Sequence, residues 1–248
     1  MIEFREVTKS FSGRKILDRV SFKINRGEIV FVIGRSGTGK SVMLKNIVGL
    51  MKPDSGEIFV DDEEISHFSE KQLFEVRRRC GMVFQFPALL DSLTVFDNLA
   101  FGPRSHGARD EREIKDRIEK ILPLVNLTPN VLDRMPAELS FGMQKRVSLA
   151  RTLALDPTHL LYDEPTTSLD PISMAAVNQL IFHLARQLKV TSVVVSHDMH
   201  CAVAIADRIL MLDQGRVIAS GTVQEMKASD VPLVRGFLKE AEERIRVA

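Results

Sequence analysis

The stretch from Gly34 to Ser41 reads GRSGTGKS, with glycines at 34, 37 and 39, a lysine at 40 and a hydroxyl at 41. Small residues let a backbone turn tightly and aim its N–H groups at an anion, while a lysine and a hydroxyl at the following helix start reach outer phosphates and magnesium. Gly34, Arg35, Ser36, Gly37, Thr38, Gly39, Lys40 and Ser41 are therefore the candidate site for a nucleoside triphosphate. Acidic chemistry follows in LLYDEP, where Asp163 and Glu164 come just past the apolar Leu160, Leu161 and Tyr162. Asp163 suits magnesium held through its water shell, and Glu164 suits removal of a proton from an attacking water. A further stretch, ELSFGMQKRVSLAR, starts a helix with Ser140 as its N-cap, Gly142 just inside and Met143, Val147, Ala150 and Ala154 along one side. Its open N–H groups also favour an anion, so the chain carries two phosphate-seeking helix starts.

The elements that must position these residues are legible in the periodicity. Val20, Phe22 and Ile24 alternate with Ser21, Lys23 and Asn25, Arg26-Gly27 turns the chain, and EIVFVIG forms the apolar strand before the glycine-rich loop. This N-terminal portion reads as an antiparallel sheet. After Ser41 the spacing of Leu44, Ile47, Val48 and Met51 is helical until KPDSG interrupts it. From about Pro87 to Leu139 the texture is helical and charged, with Ile114, Ile118, Ile121, Leu122 and Val125 on one face. Strand and helix then alternate: HLLYDEP, a helix with Val177, Leu180, Ile181, Leu184 and Leu188, the buried-looking VTSVVVS, and RILMLDQGRVIASG as a hairpin. Alternation of this kind predicts a parallel sheet flanked by helices.

Composition narrows the class. The sequence has 248 residues, 44% hydrophobic and 27% charged, enough for a large core without staples. With 34 basic and 33 acidic residues the net charge is +1, which provides no broad field for nucleic acid or anionic lipid. Cys80 and Cys201 lack disulfide or metal-site spacing, which favours a reducing compartment, and no apolar run approaches the roughly 18 residues of a membrane span. Cytosol is the expected location. His67, His106, His159, His183 and His200 are read as structural or solvated.

GRSGTGKS, Gln85 after a strand, the LSFGM opening, LLYDEP, SLD at 168 to 170 and His197 after VVVS occur in the order of an ABC-type ATPase subunit, and the chain resembles that family over nearly its whole length. The resemblance implies an α/β fold with a phosphate-loop, RecA-like core (about 1–86 and 152–230), an N-terminal antiparallel β subdomain, an inserted helical subdomain (about 87–151) and a C-terminal helical extension (about 231–248). It also implies ATP hydrolysis with Mg2+. Two copies would pair head to tail, so that Ser140, Phe141, Gly142 and Met143 of one complete the nucleotide site of the other. By the same resemblance Gln85 contacts magnesium and the attacking water and senses the transport partner, His197 contacts the γ-phosphate beside Glu164, Asp170 communicates across the dimer, and Phe11 stacks on adenine. The usual signature has two glycines after its serine. Here Phe141, a bulky ring that crowds the partner's nucleotide unless it points away from phosphate, precedes Gly142, and Met143 stands in place of the commoner glutamine.

FQFPALLDSLTVFDNLAF, the LSxGM signature and the ending SDVPLVRGFLKE resemble phospholipid-transport ATPases of the bacterial maintenance-of-lipid-asymmetry type. That resemblance implies a separate membrane permease, a lipid-carrier protein, a small regulatory subunit, and a place on the cytoplasmic face of the inner membrane through the permease. The alternatives are an amino-acid or other small-solute importer ATPase, a soluble ABC protein acting on DNA or ribosomes, and a module that uses ATP only to dimerise.

Overall fold

The computed structural model describes residues 1–167 and 169–247, so Ser168 of the SLD motif and Ala248 of the C-terminal extension lie outside the described residues. The N-terminal hairpin pairs β1 (Ile2–Phe11) with β2 (Arg14–Ile24) around a tight turn at Ser12-Gly13, both at positive φ. The chain then enters β3 (Ile29–Ile33), whose residues are all buried, and passes through the glycine-rich loop into α1 (Lys40–Ile47). This helix stops one turn before Met51, because Gly49 turns left-handed (φ 63°) where a Cβ would strike Leu73. β4 (Ser55–Val60) and the short β5 (Glu63–Glu64) follow, then α2 (Glu70–Arg79) and β6 (Cys80–Val83).

Residues 84–94 form a loop held from one side chain: the fully buried Asn98 accepts from Leu90 N–H at 2.8 Å and donates to the carbonyls of Leu90, Leu93 and Thr94 at 3.0–3.1 Å. Helices α3 (Val95–Ser105), α4 (Glu111–Ile121) and α5 (Phe141–Leu153) come next, with short 3-10 turns between α4 and α5. Ile114, Ile118, Ile121, Leu122 and Val125 are all buried, as their spacing requires. The chain continues as β7 (His159–Asp163), α6 (Pro171–Leu188), β8 (Thr191–Ser196), α7 (Met199–Ile205), the hairpin β9 (Arg208–Asp213) and β10 (Arg216–Gly221), α8 (Val223–Lys227) and α9 (Pro232–Val247). In α6, Ile181 and Leu184 are buried, whereas Leu188 is exposed at the last turn before Lys189 ends the helix left-handed.

Among the described residues the strands form a four-stranded antiparallel sheet, β2-β1-β4-β5, and a six-stranded sheet, β10-β9-β3-β8-β7-β6, parallel except at the β10 edge. The period of two explains how the second sheet holds two layers together. Ile29, Phe31 and Ile33 face the core shared with α5 and α6, while Val30 and Val32 face the core shared with α1 and the antiparallel sheet. All parallel strands therefore end at one edge, where the loops after β3, β7 and β8 converge.

Asp61, between β4 and β5, joins the two sheets. Its carboxylate lies 2.9 Å from His159 Nε2 at the start of β7, 2.9 Å from the Met1 amine and 3.9 Å from Arg79. Burial pulls the carboxyl upward, but the hydrogen bonds from the amine and His159 outweigh it and hold Asp61 at about 2. A depressed carboxyl stabilises the fold above its unfolded pKa near 3.9 and loses that contribution as pH falls toward 2. Asp61→Asn is expected to cost about 2 kcal/mol at pH 7, with the difference from the parent shrinking below pH 4. Urea melts at pH 7, 4 and 2.5 check this, and a gap independent of pH contradicts it.

Candidate functional site

The loop after β3 is pinned at both ends and open in the middle. A Cβ on Gly34 would lie 2.2 Å from the Leu212 carbonyl oxygen, and one on Gly39 (φ 103°) would lie 2.7 Å from the Ile16 carbonyl oxygen, so neither position admits a side chain. A Cβ on Gly37 meets nothing within 4 Å. Thr38 Oγ1 donates to the Arg35 carbonyl at 2.9 Å, and Lys40 Nζ donates to the carbonyls of Gly34 at 2.8 Å and Arg35 at 3.1 Å. Lys40 is only 6% exposed, and burial lowers its pKa against the opposing pull of Glu164, whose Oε1 lies 3.7 Å away. Helix α1 begins at Gly39 with no side-chain cap, which leaves its first N–H groups for an anion.

The acids come from the end of β7. Ser41 Oγ donates to Asp163 Oδ1 at 2.8 Å. Burial raises the Asp163 carboxyl above its ordinary value, the Ser41 bond opposes this, and the neighbouring Glu164 charge adds to it. Glu164 leaves the strand at φ 49° while its N–H still donates to the Val195 carbonyl at 3.0 Å, a conformation that costs energy for a residue with a Cβ. Its Oε2 accepts from Thr167 Oγ1 at 3.1 Å and lies 2.9 Å from His197 Nδ1, just past β8. The structure thus brings together two bonded sets, Ser41 with Asp163 and Lys40 with Glu164 and His197, joined where Asp163 and Glu164 are consecutive. Thr167 is a member that pattern reading missed, although its place three residues after Glu164 in DEPTT is a usable signal.

The remaining candidates stand apart from that cluster; among the described residues no hydrogen bond or ion pair links Phe11, Gln85, Ser140, Phe141, Gly142 or Met143 to it. Ser140 caps α5, its Oγ accepting from Met143 N–H at 3.3 Å, and a Cβ on Gly142 would meet nothing within 4 Å. The Phe141 ring lies along the flank of α5, with Lys145 Nζ 5.2 Å from its centroid. Lys145 in turn donates to the Pro165 carbonyl at 3.0 Å, tying α5 to the turn that carries Glu164. Asp170 caps α6, accepting from the N–H groups of Ile172 and Ser173 at 3.0 Å each. Gln85 is half-buried in the loop that Asn98 holds, and Phe11 is exposed at the tip of the first hairpin beside Lys9.

The uncapped helix start, the buried ammonium and the desolvated Asp163 fit a triphosphate with a divalent cation, with Ser41 and Asp163 as the residues that would hold magnesium. Fold and site together define a phosphate-loop nucleotide-binding cassette that takes ATP and Mg2+. The chain belongs to the ABC transporter family, whose model matches residues 17–167, and it is an ATPase. It is 40% identical to the intermembrane phospholipid transport system ATP-binding protein MlaF of Haemophilus influenzae, covering 96% of this chain and 90% of that protein. It is also 40% identical to the methionine import ATP-binding protein MetN of Carboxydothermus hydrogenoformans (91% of this chain, 67% of that protein) and to the probable ribonucleotide transport ATP-binding protein mkl of Mycobacterium leprae (96% and 68%). The chain spans about two thirds of the length of these last two relatives. Among solved structures it is similar to a dimeric ATP-binding cassette in a post-hydrolysis state bound to ADP and Pi (TM-score 0.82, 33% identity, 90% of this chain and 99% of that one). Another is cbiO1 of Clostridium perfringens, part of the transporter complex cbiONQ (TM-score 0.85, 29% identity, 96% and 98%).

Because burial raises the Asp163 carboxyl, its ionised form destabilises the metal-free chain at neutral pH. Asp163→Asn keeps an acceptor for Ser41 and removes that charge. The variant is expected to melt a few degrees higher without nucleotide, by calorimetry at pH 7.5, and to lose the additional stabilisation that Mg·ATP gives the parent. A lower Tm without nucleotide contradicts the assignment.

Proposed function

We propose that this ATPase works as a head-to-tail pair of identical subunits and powers a separate membrane permease that moves phospholipid between membranes. The observation that carries the pairing is the open start of α5: Ser140 and Gly142 present an anion-seeking helix end that no residue of the same nucleotide cluster touches. A second copy supplies what each lacks. Magnesium, held by Ser41 and Asp163, would bring positive charge to the phosphate oxygens. Glu164 takes the proton of the attacking water at its carboxylate, and His197 and Thr167 fix the orientation of that group. Phe11 supports the base, Gln85 reports the state of the site to the permease, and Asp170 links the two copies.

A groove of about 460 Å³ between α2 and β6 on one side and α3 and α5 on the other supports permease docking. Leu50, Phe74, Phe84 and Phe101 are exposed along it. Arg151 lines the same groove, its pKa lowered by burial, with no acceptor or ion pair among the described residues. No helix among them is long and apolar enough to cross a membrane, which suits a subunit held on the cytoplasmic face of the inner membrane by its permease. Likeness to MlaF over nine-tenths of that protein supports the phospholipid cargo, a lipid-carrier protein and a small regulatory subunit as partners. The MetN likeness favours a second reading, an amino-acid or other small-solute importer. Purification of the native complex separates them: a lipid-carrier protein beside the permease supports the first, and a solute receptor supports the second.

Glu164→Gln is expected to bind ATP, accumulate as a nucleotide-bound dimer in size-exclusion chromatography, and turn over about 10²- to 10⁴-fold more slowly. Hydrolysis at the parental rate removes Glu164 from the base role. Lys40→Ala is expected to lose most ATP affinity, and Gly142→Val to fold normally yet lose hydrolysis. Mixing these two inactive variants should restore activity, since one of the two shared sites is then intact. If mixing restores none, the pairing is wrong.

A further inference from the structure

Asp198, His200 and Cys201 begin α7 immediately after His197, and each offers a ligand atom within 4.8 Å of the other two. Asp198 and Cys201 are buried and His200 is half-buried, so the cluster has an inner wall and one solvent-side member. The Asp198 carboxylate is fixed in place as the cap of α7, its Oδ1 accepting from His200 N–H at 2.9 Å. Cys201 Sγ lies 4.0 Å from Thr166 Oγ1, on the turn after Glu164; burial pushes the thiol pKa up, and the neighbouring Asn178 side chain of α6 opposes that shift. A second observation points to a ligand. Asn178 is 6% exposed and its Oδ1 has no hydrogen-bond partner among the described residues.

We propose that Asp198, His200 and Cys201, with Asn178 Oδ1 as a fourth donor, form a regulatory site for a zinc-class transition-metal ion. Two ligands of a tetrahedral zinc ion with bonds of about 2.0–2.3 Å stand roughly 3.3–3.8 Å apart, so ligand atoms within 4.8 Å of one another need draw together by only about 1 Å. One thiolate, one imidazole and two oxygens select zinc, cobalt or a similar ion, and exclude magnesium, which requires an oxygen shell. Binding breaks the Cys201 S–H bond, forms the sulfur–metal bond and releases one proton to solvent. The ion would join the segment after His197 to Asn178 of α6, beside the turn after Glu164. That junction holds His197 against Glu164 Oε2, the carboxylate that must receive the proton from water, and hydrolysis slows.

Cobalt(II) titration of the purified, nucleotide-free chain tests the site. One equivalent is expected to produce thiolate-to-cobalt charge-transfer absorption in the near ultraviolet with the visible bands of a four-coordinate ion, and zinc should displace it. Cys201→Ser should abolish the charge-transfer band, and His200→Ala should weaken cobalt affinity at least ~10-fold. No such band, or one that survives Cys201→Ser, overturns the site. The regulatory role rests on the ATPase reading and has its own arm. Zinc added at fixed Mg·ATP should inhibit the parent, whereas His200→Ala should keep the basal rate and need at least ~10-fold more zinc. Equal zinc sensitivity in the two proteins overturns regulation, and because the cobalt spectrum requires no turnover, failure of the ATPase reading is distinguishable from failure of the metal site.

Discussion

Lys40 carries a charge into a place with little water, and the rest of the site is arranged around that cost. Its ammonium is tied to two backbone carbonyls and stands 3.7 Å from Glu164, close enough to feel the carboxylate and too far for a short ion pair. Across the same space Asp163 is desolvated in the opposite sense, a carboxylate whose neighbours include another carboxylate. A pair of buried charges left partly unmatched is unfavourable by itself and favourable beside an added anion and cation. A triphosphate with magnesium is such a combination, so the cost of burying these charges and the affinity for Mg·ATP have one origin.

The parallel sheet makes that arrangement possible. Because β3, β7 and β8 are buried on both faces and end in register, their following loops meet without any strand edge between them. Glu164 is where the regular pattern gives way, its backbone turned to positive φ while its N–H stays in the ladder with Val195. The departure is local and is held by hydrogen bonds on both sides of the carboxylate, from Thr167 and His197. Strain concentrated at a single residue and over-determined by its neighbours is the pattern expected of a reacting group.

The inserted helices answer to the core through few contacts of definite chemistry. Lys145 reaches from α5 to the Pro165 carbonyl, and Asn98 at the start of α3 fixes the loop that carries Gln85. Lys145 thus ties α5 to the turn beside Glu164, and Phe84, which precedes Gln85, lines the apolar groove. The open face at Ser140 and the groove at Arg151 belong to the same helix, one at its N-terminal end and the other near its C-terminal end. A single rigid element thus faces both the surface suited to a second copy and the surface suited to a membrane partner.

Local patterns determined much of this protein by themselves. GRSGTGKS between an apolar strand and an amphipathic helix, LLYDEP at a strand end, the Ser140 cap and the buried face of α4 were legible because backbone conformation and side-chain period act over a few residues. The early stop of α1, the exposed Leu188, the Asn98 clamp, the Thr167 contact and the link from Asp61 to His159 were not, since each depends on a partner brought near by the fold. The same holds for the Phe141 ring, whose place beside Lys145 is a tertiary contact. Sequence specified which chemical groups the chain carries and which elements hold them. Only the tertiary structure decided which groups share a low-dielectric space, because burial and distance, not residue type, set the energy of a charge.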